Sequence, residues 1–140
     1  MELPCDSDTP IRSSTKNGMD LYEGSIYSAF TCFPATSDQY AGPERIFAFQ
    51  HPGGGDVSIT LETPCDELHL IALQWTGWDD DGTCPSEEHE SRVRCEDSDD
   101  DDEDGIVSLN LYEPNPMDYL VIVDGPRGEE ANFTIAATCP

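Results

Sequence analysis

The sequence predicts an all-β fold, an antiparallel β-sandwich or jelly roll of about seven to nine strands stapled by disulfides. Three observations carry that reading. No stretch has the 3.6-residue apolar period of a helix. Eleven glycines and eleven prolines interrupt the chain at short intervals, which favours strands joined by turns. Between those breaks the apolar residues alternate, and six cysteines stand without a CxxC pair.

The clearest strand is DVSITLE, Asp56 to Glu62, with Val57, Ile59 and Leu61 on one face and Ser58, Thr60 and Glu62 on the other. HPGGG before it reads as a turn, and RIFAF before that as its partner strand in a hairpin. ELHLIALQW, Glu67 to Trp75, is apolar on both faces, as a central strand requires. Ile106 to Leu111 alternates again, with Val107, Leu109 and Leu111 on one side. EPNPMD is a turn, YLVIV (Tyr119 to Val123) the most buried candidate strand, and NFTIAAT the closing one, with Phe133, Ile135 and Ala137 facing inward. Residues 1–24 are polar and read as an arm or edge strand. Residues 25–140 read as one sandwich domain carrying an acidic loop over 79–104.

The cysteines lie 27, 33, 19, 11 and 44 positions apart, spacings that suit disulfides better than a zinc ribbon. Cys84 and Cys95 flank one polar loop and are the first expected pair. Neighbourhood along the chain then suggests Cys5 with Cys32 and Cys65 with Cys139. Disulfides place the protein in an oxidising compartment, secreted or at the cell surface. MELPCDSD has no basic-then-apolar leader, which fits a secreted chain whose leader was removed and replaced by a start methionine. Fully apolar runs are no longer than Leu120 to Val123, too short to span a bilayer.

Charge narrows the function further. Thirty acidic residues against six basic ones give a net −24, which excludes nucleic acid and disfavours anionic membranes. Half of that charge is concentrated between Asp79 and Asp104, where 14 acidic residues meet two arginines. A salt-adapted surface would spread its charge, whereas a cation site concentrates it. Asp100, Asp102, Asp104 and Gly105 read D-x-D-x-D-G, alternate carboxylates before a turning glycine, the pattern that wraps oxygens around calcium. Counted from Asp100, the twelfth position is Leu111 rather than glutamate, so the segment is not an EF-hand. WDDDGT adds Asp79, Asp80 and Asp81. A loop pinned by Cys84 and Cys95 would bring Asp79 and Asp81 towards Asp100, Asp102 and Asp104. Calcium is the expected cofactor. Loose counterion binding and a docking patch for a basic partner are the alternatives.

Trp75 and Trp78 flank the same loop. Trp75 ends a strand and reads as core. Trp78, in a glycine-containing turn beside carboxylates, reads as a platform for a polysaccharide or matrix protein. Catalysis finds no support: His51, His69 and His89 form no HExxH pair, and no serine occupies a G-x-S-x-G elbow.

The order AGPERIFAF, GGDVSITLE, ELHLIAL, a cysteine-bearing loop, DYLVIVDG and NFTIAATC resembles bacterial pre-peptidase C-terminal domains. The disulfide-bearing variants of large secreted myxobacterial proteins are the most similar. The resemblance covers Cys32 to Cys139, and Val123-Asp124-Gly125 is its most specific element. It implies a secreted jelly-roll module beside a protease or surface protein, related to collagen-binding modules that bind calcium and extracellular polymers. Where many members begin the central strand with Asp-x-Asp, this chain has Glu67 and His69, so no ligand role is carried over to them. The expectation is a secreted, non-catalytic, calcium-assisted binding or structural module. A self-assembling subunit of an extracellular fibre or surface layer is the second expectation, and a polysaccharide- or matrix-binding module the third.

Overall fold

A computed structural model describes residues 2–18, 42–63, 68–74, 94–97, 105–125 and 130–140. Among them are eight strands: β1 (Ile11–Ser14), β2 (Arg45–His51), β3 (Gly55–Glu62), β4 (His69–Gln74), β5 (Arg94–Asp97), β6 (Ile106–Glu113), β7 (Met117–Asp124) and β8 (Asn132–Thr138). They form two four-stranded sheets, β1-β8-β3-β6 and β2-β7-β4-β5, in which every pairing is antiparallel. Successive strands fall in alternate sheets except for β4 and β5. This strand order is that of an eight-stranded jelly roll.

Alternation in the sequence builds the first sheet. Val57, Ile59 and Leu61 of β3, Val107, Leu109 and Leu111 of β6, and Phe133, Ile135 and Ala137 of β8 all point inward. Their neighbours along each strand face out. Facing them across the core are Phe47 and Phe49 of β2, Leu70 and Ala72 of β4, and Tyr119, Val121 and Val123 of β7. Phe47 meets Phe133 edge to face, with ring centroids 6.2 Å apart. Each fully buried aliphatic side chain of this set contributes about 1.5–3 kcal/mol.

The second sheet is buried on its other face as well. Leu120 and Ile122 of β7 and Ile71 and Leu73 of β4 point away from the shared core, yet each is buried. That two-sided burial is why ELHLIALQW and YLVIV lack polar alternation.

Two expectations are corrected. β2 and β3 are not a hairpin: β2 pairs with β7, and β3 pairs with β6 and β8. The Pro52–Gly54 turn carries the chain from one sheet to the other, so the apolar faces of β2 and β3 oppose each other across the core. Gly53 is required there, because its φ is +79° and a Cβ would lie 2.6 Å from the Asn115 carbonyl carbon. The cysteine pairing also differs. Cys5 is bonded to Cys139, with Cα atoms 5.6 Å apart, which excludes both Cys5–Cys32 and Cys65–Cys139. Proximity along the chain misled because the jelly roll places the N-terminal segment against the last strand. Cys5 bridges to Ala137, the Asp6 N–H donates to the Ala137 carbonyl at 2.9 Å, and β1 then runs antiparallel to β8. The Cys139 N–H donates to Asp6 Oδ1, also at 2.9 Å, closing the clasp.

Candidate functional site

The ligand set expected for calcium, Asp79, Asp81, Asp100, Asp102 and Asp104, lies outside the described residues, as do Trp75, Trp78, Cys32, Cys65 and Cys84. Both flanks of the acidic run are described. On one side, part of the segment read as loop is strand: β5 pairs with β4 at Gln74–Arg94, Leu73–Cys95, Ala72–Glu96 and Ile71–Asp97. On the other, Gly105 adopts φ +72° and its carbonyl accepts a 2.8 Å hydrogen bond from the Thr63 N–H. Ile106 follows, paired with Glu62 of β3.

Among the described residues, β5 and β6, the strands that flank the acidic run in sequence, each stand at the end of their sheet's order, one in each sheet. Glycine serves at Gly105 because the left-handed backbone that delivers the chain into β6 penalises a side chain. At this junction the Thr63 hydroxyl is buried and has no hydrogen-bond partner among the described residues. A buried hydroxyl oxygen with no donor to satisfy it is costly in an apolar surrounding and favourable beside a cation.

The sequence hides β5 because Asp, and to a lesser degree Glu, are depleted in strands. A signal was present: Val93 and Cys95 alternate with Arg92, Arg94 and Glu96. The ladder to β4 outweighs that propensity in the fold.

Thr15 Oγ1 accepts the Ala131 N–H at 2.9 Å, and the other buried polar groups among the described residues form two sets at opposite ends of the second sheet. At one end are Glu44, His69 and Asp124, all buried, with His69 and Asp124 directly paired across β4 and β7. Asp124 Oδ1 accepts the Gly125 N–H at 2.7 Å, and the Gly125 carbonyl accepts the Gly42 N–H at 2.9 Å. Val123-Asp124-Gly125 is thereby a structural end to β7, in which the carboxylate satisfies the backbone as the strand stops. Nearby, Arg45 spans two strands: Nε donates to the Ser14 carbonyl and Nη2 to that of Lys16, at 2.9 and 3.0 Å.

At the other end, His51 is fully buried and both ring nitrogens are engaged. Nδ1 accepts the Gly53 N–H, and Nε2 donates to the Leu111 carbonyl, each at 2.9 Å. Beside it Tyr119 donates its hydroxyl to Glu113 Oε1 at 2.5 Å. A histidine with both nitrogens committed to backbone has no lone pair or proton to offer a substrate. Nothing in the sequence marked this pair of bonds, since His51 stood before a Pro-Gly turn.

Among the described residues, no group of three or more His, Cys, Asp or Glu side chains is placed to hold a metal ion. Among them, too, no helix is long and apolar enough to cross a membrane. Fold and junction together define a jelly-roll domain clasped at Cys5–Cys139, with a carboxylate-rich connection between its two sheets. No protein-family model matches the chain, and no curated protein matches it either.

Proposed function

We propose that this chain is a secreted, non-catalytic binding or structural module, similar to pre-peptidase C-terminal domains, whose acidic region takes up calcium. The observation that supports it best is the anchoring of the acidic run. β5 pairing reaches Asp97 and the Gly105 carbonyl is held by Thr63, so both flanks of the acidic run are fixed in the fold. Tethered like charges repel one another unless a cation neutralises them, and calcium takes six to eight oxygens without strict geometry. The unsatisfied Thr63 hydroxyl at the same junction adds an oxygen.

The test is thermal unfolding in millimolar calcium against sodium at matched ionic strength. A calcium-specific rise in Tm, reversed by chelator and abolished by combined Asp100→Asn, Asp102→Asn and Asp104→Asn substitution, is expected. Coincident curves in the two salts would remove the site.

A second reading, self-assembly into an extracellular layer, is favoured by β6. Among the described residues it is an eight-residue edge strand, which carries neither lysine nor proline and exposes Ile106 and Tyr112. Such an edge can accept a strand from another molecule. Light scattering with and without calcium tests it, and a monomer under every condition would end it.

A further inference from the structure

We propose that the outer face of β1, β8 and β3 is a binding site for a neutral polysaccharide, centred on Arg12, Glu62, Asn132 and Thr134. Antiparallel register sets the four side chains together. Arg12 is opposite Thr134, Thr134 is opposite Glu62, and Ser14 is opposite Asn132 one row along. Because side chains alternate, Phe133 and Ile135 enter the core while Asn132 and Thr134 face out. An open cavity of about 690 Å³ lies over this face, lined by Arg12, Ser14, Glu62, Asn132 and Thr134 with Ser13 and Phe133. That volume is within the range of small-molecule sites, roughly 300–1,000 Å³.

The chemistry of the lining selects the ligand. Among the described residues it holds one guanidinium and one carboxylate on a chain of net charge −24, so these residues are locally neutral on a strongly acidic molecule. An anionic ligand is repelled by the whole-molecule field, and a cation is drawn to the acidic run instead. A neutral ligand is the class left, and it must supply many hydrogen bonds. The guanidinium only donates, the carboxylate only accepts, and the amide and hydroxyls do both, which complements sugar hydroxyls that are donors and acceptors at once. Among the described residues, the Arg12, Glu62, Asn132 and Thr134 side chains are not tied up in hydrogen bonds or ion pairs. The face is open rather than enclosed, so internal units of a chain fit it. Phe133 is buried, so the described residues give the cavity no aromatic platform, and binding is weak per unit and gains from repeated units. This site is separate from Trp78 and does not require the cation.

Affinity electrophoresis of the full chain in chelator tests it, with dextran, pullulan or laminarin in the gel and polygalacturonate as the anionic comparison. Retardation by at least one neutral polymer is expected, with the matching hexasaccharide shifting the amide resonances of Arg12, Asn132 and Thr134. Arg12→Ala and Asn132→Ala, both exposed positions, should each weaken association about tenfold at unchanged Tm. Glu62→Gln, which keeps shape and removes the charge, should weaken it as well. The proposal is overturned if no neutral polymer retards the chain, or if retardation survives all three substitutions. Loss of retardation on Trp78→Ala alone, or shifts at these amides with gelatin peptides in place of the hexasaccharides, would likewise overturn it.

Discussion

Two side chains at strand ends show how much a single buried group can decide. The two hydrogen bonds of His51 define the Nε2–H tautomer of a neutral ring, because a backbone N–H can only donate to Nδ1 and a carbonyl can only accept from Nε2. Long-range nitrogen-proton correlation spectra should therefore show Nε2 protonated and Nδ1 bare. His51→Leu keeps apolar volume but strands the Gly53 N–H and the Leu111 carbonyl. At about 1–3 kcal/mol for each orphaned group, the variant should lose roughly 2–6 kcal/mol in urea unfolding. A loss under about 0.5 kcal/mol, the range of an ordinary surface substitution, would mean that these bonds do not hold in solution. Thr63 makes the opposite case. Its hydroxyl has no partner among the described residues, so Thr63→Val removes a desolvated oxygen while keeping the branched shape. In chelator the variant should be about 1 kcal/mol more stable than the parent. If the hydroxyl serves a cation, the same variant gains less from calcium. Equal destabilisation in chelator and in calcium would show that the hydroxyl is already satisfied.

At the scale of elements, the disulfide clasp joins the N-terminal segment to the strand that closes the first sheet. Cys5 and Cys139 are 134 residues apart, so the bond closes nearly the whole chain and restricts the unfolded ensemble strongly. Chain-entropy reasoning puts that contribution at up to about 5 kcal/mol. A Cys5→Ser/Cys139→Ser variant should unfold at markedly lower urea, and hydrogen exchange should accelerate first in β1, a four-residue strand that among the described residues pairs only with β8. Uniform acceleration across β1, β3 and β7 would instead mean that β1 opens only with the whole domain. The strands themselves were legible wherever burial is one-sided: β3, β6 and β8 follow the period-two pattern of DVSITLE, IVSLNL and NFTIAAT. β4 and β7 were legible as central because both faces are apolar. Partnership was not legible. RIFAF and DVSITLE look like a hairpin in sequence, and only packing across the core separates them into two sheets. β5 was hidden because its pairing is a backbone property that acidic side chains disguise. The cysteine clasp was hidden because it depends on topology rather than on spacing. Of the candidate site, the sequence revealed the carboxylates and their turning glycine. It could not reveal that Thr63 holds Gly105, since that bond joins backbone groups far apart in the chain.

For the molecule as a whole, the governing quantity is a net charge of −24 on a domain whose radius of gyration is about 14 Å. At 0.01 M salt the screening length is about 30 Å, so every carboxylate repels every other across the fold. At 0.1 M it is about 10 Å, and only neighbours still interact. Compaction raises this repulsion, so screening stabilises the folded chain more than the unfolded one. Tm should climb with sodium chloride, most steeply between those two concentrations. The acidic run responds differently, because its carboxylates are only a few residues apart and remain within a screening length well above 0.1 M. Neutralising it with Asp100→Asn, Asp102→Asn and Asp104→Asn should thus raise Tm in chelator at low salt, and the gain should shrink as salt is added. The same three substitutions are expected to abolish the calcium response, so stabilisation without calcium and insensitivity to calcium should appear in one variant. If the triple variant is instead less stable in chelator at low salt, the carboxylates are making favourable contacts within the fold. Self-repulsion would then not be what a cation relieves.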